Sequence, residues 1–395
     1  MPTKNKKLRI LIFSTAYFPF VGGAEVAIKE ITDRLALSFE FDLITARLDK
    51  NLPKVEKVGA VTVYRIGFGH KILDKLFLPL TGAFKAWRLQ RTRNYFCFWA
   101  MMVTFGSGAG YIVNILRKLA LKKKIPVILT LQEGDSENHL QYKWGGLINL
   151  SWRLALWQAD FLTGISNFLL NRAHKKGYKK ESALVPNGVN VDLFAKEVSS
   201  DVKEKLIQSL QKKPEDVFLV TISRLTYKNA TDDIISALTH LPENVSLIII
   251  GKGELGPDLQ EQANGLHLED RVKFLGFVPY TDLPKYLSVC DIFVRPSRSE
   301  GFGNSFIEAM AAGVPVIATP VGGIPDFIDD GETGVFCSTD NPQSIAKAVT
   351  LLSSDKSLKE KITEQAKNRV TERYNWDYVA YLMKEVFDKQ LKSVE

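Results

Sequence analysis

Apolar residues along this chain fall into short continuous runs, separated by longer segments with helical periodicity. Leu8–Ser14 is one such run, as expected of a strand buried on both faces. A loop with Pro19, Gly22 and Gly23 follows, then a helix from about residue 24 to 38. The same pattern predicts strands at Phe41–Thr45, Val61–Ile66, Val127–Leu131, Phe161–Ile165 and Ala183–Val185. Pro186-Asn187-Gly188 is a turn signal, and a second series begins after it. There, strands are predicted at Phe218–Ser223, Leu247–Gly251, Val272–Phe277, Ile292–Pro296 and Pro315–Thr319. Helices fit at about 230–240, 256–265, 281–289, 305–312, 342–353 and 356–370, and an amphipathic helix at about Trp376–Lys392 ends the chain. Alternation of strand and helix, twice over, predicts an α/β chain of two tandem Rossmann-like domains. They span 1–188 and 189–374, and the helix at 375–395 follows them.

The length of 395 residues suits two domains rather than one core. Charge divides unevenly between them. Residues 1–190 hold 29 Lys and Arg against 13 Asp and Glu, and the remainder holds 23 against 31. A strongly basic first half suits phospholipid, nucleic acid or an anionic substrate. Cys97, Cys290 and Cys337 are far apart in apolar surroundings, which predicts reduced thiols, a cytoplasmic setting and no zinc site. The basic N-terminus leads into an apolar run too short for a signal peptide, and no stretch approaches the length of a spanning helix.

Candidate chemistry concentrates in Arg295–Gly323, RPSRSEGFGNSFIEAMAAGVPVIATPVGG. A strand end passes through a Gly-rich turn into a short helix. Such a turn presents N–H groups and a positive helix end to an anion. Glu300 and Glu308 remain for sugar hydroxyls. Upstream, strand Phe218–Ser223 runs into Arg224-Leu-Thr-Tyr-Lys228, where two cations can share one diphosphate. A hydrolase dyad is disfavoured. Eight helical residues would part the glutamates by about 12 Å, beyond the roughly 5–9.5 Å of paired catalytic carboxyls.

These motifs closely resemble the retaining group 1 (family 4-like) glycosyltransferases of the two-domain GT-B class, whose domains face across a cleft. The resemblance implies a nucleoside-diphosphate-sugar donor on the second domain. It assigns Arg224 and Lys228 to the diphosphate, Glu300 to the donor sugar and Glu308 to the ribose. Backbone at Gly301, Phe302, Gly303, Asn304 and Ser305 is expected beside sugar and phosphate. Lys252 is expected near phosphate, and the strand from Val272 near the base. On the acceptor side it implies Gly22 and Gly23 at a helix mouth, Ser166 on the cleft, and the loop Gln132-Glu133-Gly134-Asp135. Many relatives carry histidine at the position of Gln132, which cannot take up a proton. Glu133 or Asp135 is then the candidate base, and His139 is expected on a helix surface. The final helix is expected to return to the first domain.

Gly251-Lys-Gly253-Glu-Leu-Gly256 spells a dinucleotide fingerprint but follows the second strand of its domain, whereas that fingerprint belongs at the first. No Asp-x-Asp or His/Cys cluster is present, so no metal or other cofactor is expected. UDP-glucose, GDP-mannose and UDP-N-acetylhexosamines all remain candidate donors, and the acceptor is expected to be a glycan or lipid-linked sugar. A non-catalytic nucleotide-sugar-binding subunit and a nucleotide-sugar epimerase are the alternatives. His70–Trp99 mixes Leu, Phe and Trp with Lys and Arg, which suits peripheral contact with an anionic membrane at its cytoplasmic face. Pro79 and Gly82 are expected to interrupt that helix. No nucleic-acid recognition motif is present.

Overall fold

The computed structural model describes residues 7–103, 105–134 and 147–392. The chain forms two compact units, one of residues 1–187 with 376–395 and one of residues 188–375.

The first unit is built on an eight-stranded sheet of β1 (Leu8–Phe13), β2 (Phe39–Ala46), β3 (Val55–Val58), β4 (Val61–Ile66), β5 (Tyr95–Met101), β6 (Val127–Leu131), β7 (Phe161–Gly164) and β8 (Ser182–Leu184). Its order is β3-β4-β2-β1-β5-β6-β7-β8. Every pairing is parallel except β3 with β4. Parallel pairing requires crossover segments, and α1 (Gly23–Leu35), α2 (Leu73–Thr92), α3 (Gly106–Leu119), α4 (Leu147–Gln158) and α5 (Asn167–Lys175) supply them.

The central strand β5 was not among the sequence-predicted strands, and it corrects the amphipathic reading of His70–Trp99. Tyr95, Cys97, Phe98 and Trp99 belong to the core, so these side chains do not meet solvent. Nor do Pro79 and Gly82 interrupt α2, which runs unbroken through both. They serve close packing on α3. A methyl at Gly82 would stand 3.1 Å from Ala109 Cβ, and one at Gly108 would stand 3.1 Å from Pro79 Cβ.

In the second unit, β9 (Val217–Ile222), β10 (Val245–Ile250), β11 (Val272–Gly276), β12 (Ile292–Arg295), β13 (Val316–Ala318) and β14 (Val335–Phe336) form a parallel sheet. The order is β11-β10-β9-β12-β13-β14. Short α6 (Val191–Phe194), then α7 (Ser200–Ser209), α8 (Thr231–Ala237), α9 (Gly256–Gly265), α10 (Leu283–Leu287), α11 (Asn304–Ala311), α12 (Pro342–Ser354) and α13 (Lys356–Arg373) complete it. The chain steps outward from β9 to β11, then returns to the other side of β9 to place β12. The topological switch point is therefore between β9 and β12, the place where open α/β sheets bind ligands.

The last helix, α14 (Trp376–Lys392), packs in the first unit. Trp376, Val379, Ala380, Met383, Val386 and Phe387 join the core cluster of Ile28, Phe39, Phe41 and Trp99. The Phe387 ring meets Phe39 and Trp99 edge-on, each at 5.5 Å. Arg34 pairs with Asp377 at 2.5 Å.

Candidate active site at the β9/β12 switch point

Two loops leave the sheet side by side at the switch point. After β9 comes Ser223–Asn229, and after β12 comes Pro296–Gly303. The first is braced by its neighbour from β10. A methyl at Gly251 would lie 1.8 Å from the Ser223 carbonyl oxygen, and one at Gly253 would lie 2.1 Å from that of Leu225. These two glycines thus serve close backbone approach to the β9 loop. The Leu225 N–H donates to the Lys252 carbonyl at 3.1 Å.

Arg295 and Arg298, which sequence reasoning passed over, tie the two loops together. Arg295 ends β12 and is buried. Its guanidinium donates to Asn229 Oδ1 at 2.9 Å, to Ser305 Oγ at 3.0 Å and to the Glu300 carboxylate. Asn229 in turn donates to the Arg224 carbonyl at 2.5 Å. Arg298 donates from its backbone to the Lys228 carbonyl at 2.8 Å. Its guanidinium donates to the Tyr227 carbonyl and pairs with Asp232, Asp233 and Asp340. Both arginines stand inside the glycine-rich motif, flanking Pro296-Ser297, and that position was the available signal.

This bracing brings Arg224, Lys228, Glu300, Ser305 and Glu308 onto adjoining loops and one helix. The Arg224 side chain is exposed and Lys228 half-buried. Among the described residues neither side chain has a hydrogen-bond or ion-pair partner. Gly303 has φ of +101°, and a methyl there would stand 2.6 Å from the Phe306 ring, so glycine is required where the loop turns into α11. Asn304 and Ser305 open that helix.

The Glu308 carboxyl is buried on α11, has no hydrogen-bond partner among the described residues, and is pushed up to about 7 by burial, against the opposing pull of Arg295. Three further buried hydroxyls near these strand ends, Thr221, Ser223 and Ser297, also lack partners among the described residues. Buried polar groups are ordinarily paired. Unpaired ones at a switch point are where ordered water or a polar ligand would complete the pairing.

Several expectations are corrected. The Gly301 and Phe302 N–H groups are not open to an anion, because both donate to the Glu300 carboxylate, at 3.0 and 3.4 Å. The Phe302 side chain is core, packed on Phe327 and Tyr374. Val272 opens β11 with its side chain in the core, about 13 Å from the carboxyl end of that strand. The carboxyl end is Gly276, beside which lies the exposed Lys252 side chain.

On the first unit, Gly22 caps α1 and Gly23 begins it. The Gly22 N–H is taken by the Glu25 carboxylate at 2.8 Å. Gln132 donates to Asn187 Oδ1 at 3.2 Å. Glu133 is buried, and its two carboxylate oxygens accept from the Val103 and Gln132 N–H groups, which ties its loop to the one that follows β5. Ser166 is fully buried and caps α5 by accepting from the Leu169 N–H at 3.4 Å. Asp135 and His139 lie outside the described residues. Among the described residues no group of His, Cys, Asp and Glu could hold a metal ion.

Comparison with known proteins bears on both units. Residues 202–369 match the family of glycosyl transferases group 1, and residues 21–193 match glycosyltransferase family 4. An uncharacterized glycosyltransferase from Methanocaldococcus jannaschii is 34% identical over 199 residues, 50% of this chain and 51% of that protein. The aligned stretch thus spans about half the length of that curated relative. Sucrose-phosphate synthase from Thermosynechococcus elongatus superposes with a TM-score of 0.82 at 21% identity, covering 98% of this chain and 100% of that one. The Anabaena protein HepE in complex with UDP-glucose gives 0.77 at 21% identity, over 97% and 100%. The chain belongs to the group 1 glycosyltransferases and has the GT-B fold.

Proposed function

We propose that this protein transfers a hexose-type sugar, with retention of configuration, from a nucleoside-diphosphate sugar to a glycan or lipid-linked acceptor in the cytoplasm. The observation that carries this reading is the pairing, at one switch point, of two partnerless cations with a buried, partnerless carboxyl. Arg224 and Lys228 suit the diphosphate. The Asn304–Ser305 end of α11 adds its N–H groups and dipole. Glu308 suits the ribose hydroxyls, and Glu300, at the turn before α11, suits the donor sugar. The HepE complex with UDP-glucose supports a nucleotide sugar as the ligand class.

In this reading the bond between C1 and the leaving phosphate oxygen breaks as an acceptor hydroxyl oxygen bonds to C1 on the same face. The departing phosphate oxygen takes the acceptor proton. The charge that develops on the diphosphate is met by Arg224 and Lys228, a role that a divalent metal fills in other transferases. Rate enhancement then comes from positioning and leaving-group stabilisation rather than a protein nucleophile.

The test is transfer in EDTA from α-linked donors to a panel of glycan and lipid-linked acceptors, with the product anomer read by NMR. An α-linked product, formed in EDTA and reduced by at least about a hundredfold in Lys228→Met, supports the reading. A β-linked product would overturn retention, and activity restored only by Mg²⁺ would overturn metal independence. A donor converted to its epimer without acceptor would favour the epimerase alternative, and saturable donor binding with no turnover on any acceptor would favour the non-catalytic subunit.

A further inference from the structure

Helix α2 is apolar on two faces, and only one of them is used by the fold. Leu78, Gly82, Ala83, Ala86 and Leu89 face the interior. On the opposite side Leu73, Leu76, Phe77, Leu80 and Phe84 form a stripe at helical spacing, with Phe77 55%, Leu80 62% and Phe84 65% exposed. Leu119, which ends the neighbouring α3, and Leu121 just beyond it are exposed as well, the latter at 97%. Lys122 lies over the Trp87 ring at 5.6 Å and joins the two helices there. Scattered surface apolar residues are ordinary, whereas a contiguous stripe marks an interaction site.

Charge on this surface has one sign. Between Gly67 and Lys124 the sequence holds eleven Lys and Arg and a single acidic residue. That residue, Asp74, is buried and accepts from the Phe68, Gly69 and His70 N–H groups. An open groove of about 400 Å³ runs beside the stripe, lined by Ile66, Leu80, Thr81, Phe84, Lys85 and Arg88. Lys85 lies over the Tyr64 ring at 4.4 Å and Arg88 over the Phe84 ring at 5.8 Å. Neither cation forms a salt bridge among the described residues.

We propose that the outer face of α2, with the end of α3, is a docking surface for an anionic lipid bilayer, with an anionic headgroup between Lys85 and Arg88 and acyl chain against Leu80 and Phe84. The charge complementarity selects this occupant. A second copy would bring two unneutralised cation clusters together, and nucleic acid would leave the aliphatic stripe in water. Among the described residues no helix is long and apolar enough to cross a membrane, so binding is peripheral and reversible. The inference rests on the first unit alone and stands whether or not the proposed transfer is correct.

The test is sedimentation of the full chain with vesicles of phosphatidylcholine, and of phosphatidylcholine with phosphatidylglycerol at roughly 7:3. Binding is expected only to the anionic vesicles and is expected to weaken with salt. Lys85→Gln with Arg88→Gln should weaken it about 25-fold, at about fivefold per charge. Phe77→Ser, Leu80→Ser and Phe84→Ser together should abolish it. These side chains are exposed, so an unchanged melting temperature separates lost docking from misfolding. Brominated acyl chains should quench Trp87, read as the signal lost in Trp87→Phe. Equal binding to neutral vesicles, unaltered binding by both variants, or concentration-dependent self-association removed by the triple variant would each overturn the proposal, as would RNA displacing anionic vesicles by competing for the same cations.

Discussion

Replacing Arg295 by Met is the sharpest structural perturbation available. The variant keeps the length of the side chain and its stacking beside Phe306, whose ring centroid lies 5.3 Å from the guanidinium. It removes three partners at once: the Glu300 carboxylate, Asn229 Oδ1 and Ser305 Oγ. Glu300 is only 8% exposed, so its charge is left in a poorly solvated place. Breaking a buried ion pair from one side costs about 3–5 kcal/mol. The neutral acceptors Asn229 and Ser305 each add up to about 1 kcal/mol where water does not replace the donor. A loss of about 4 kcal/mol of stability in the second unit is therefore expected. Urea unfolding of the full chain, followed through the transition of that unit, measures it. A cycle with Glu300→Gln separates the pair from its surroundings, and a coupling of about 2–3 kcal/mol is expected. A loss below about 1 kcal/mol, or a coupling near zero, would refute the claim that Arg295 holds the site together.

Other consequences follow from individual groups. Folding keeps the proton on the Glu308 carboxyl up to about pH 7, against an ordinary value of 4.5, so the native state is favoured below the unfolded value and that advantage disappears as pH rises through 7. Glu308→Gln should match wild type near pH 4.5 and exceed it by about 3 kcal/mol above pH 7; denaturation across that range checks it, and a constant difference would contradict it. Gly303→Ala forces a side chain into φ of +101° against Phe306, and should cost about 2–3 kcal/mol, read as a fall in the melting temperature. Phe387→Ala empties a fully buried place between Phe39 and Trp99 and should cost about 3–5 kcal/mol in the first unit, whereas a loss under 1 kcal/mol would mean that α14 is not part of that core.

Much of the fold was legible because doubly buried parallel strands are continuous apolar runs. Leu8–Phe13, Val127–Leu131 and Val217–Ile222 stand out from the polar helices around them. The strand β5 escaped notice because only Arg93 and Asn94 separate it from the end of α2, with neither Gly nor Pro between them. Its aromatics therefore read as a continuation of the basic amphipathic helix. Strands β3 and β14, of four and two residues, are too short to carry a pattern. Pro79 and Gly82 misled for a different reason. Their effect depends on Gly108 and Ala109 of a helix distant in sequence, which no local rule sees.

In the candidate site the glycines and carboxylates were legible from spacing. The wiring was not, because arginines beside a motif look like solvated charges. Only the fold shows Arg295 buried and joined to Asn229, a residue 66 positions earlier. Polar residues of the first unit also have a structural part that spacing does not show. Glu133 and Ser166, read from the sequence as acceptor-side residues, accept from backbone N–H groups.

The most direct test of the central claim is thermal stabilisation of the full chain by a panel of UDP- and GDP-sugars in EDTA, beside the double variant Arg224→Met with Lys228→Met. Both side chains lie outside the core, so the variant should fold. The account predicts that at least one donor raises the wild-type melting temperature in step with its concentration, as mass action requires, and that the double variant loses the response. A panel without effect on the wild type, or an equal shift in the variant, would contradict a donor site at the β9/β12 switch point.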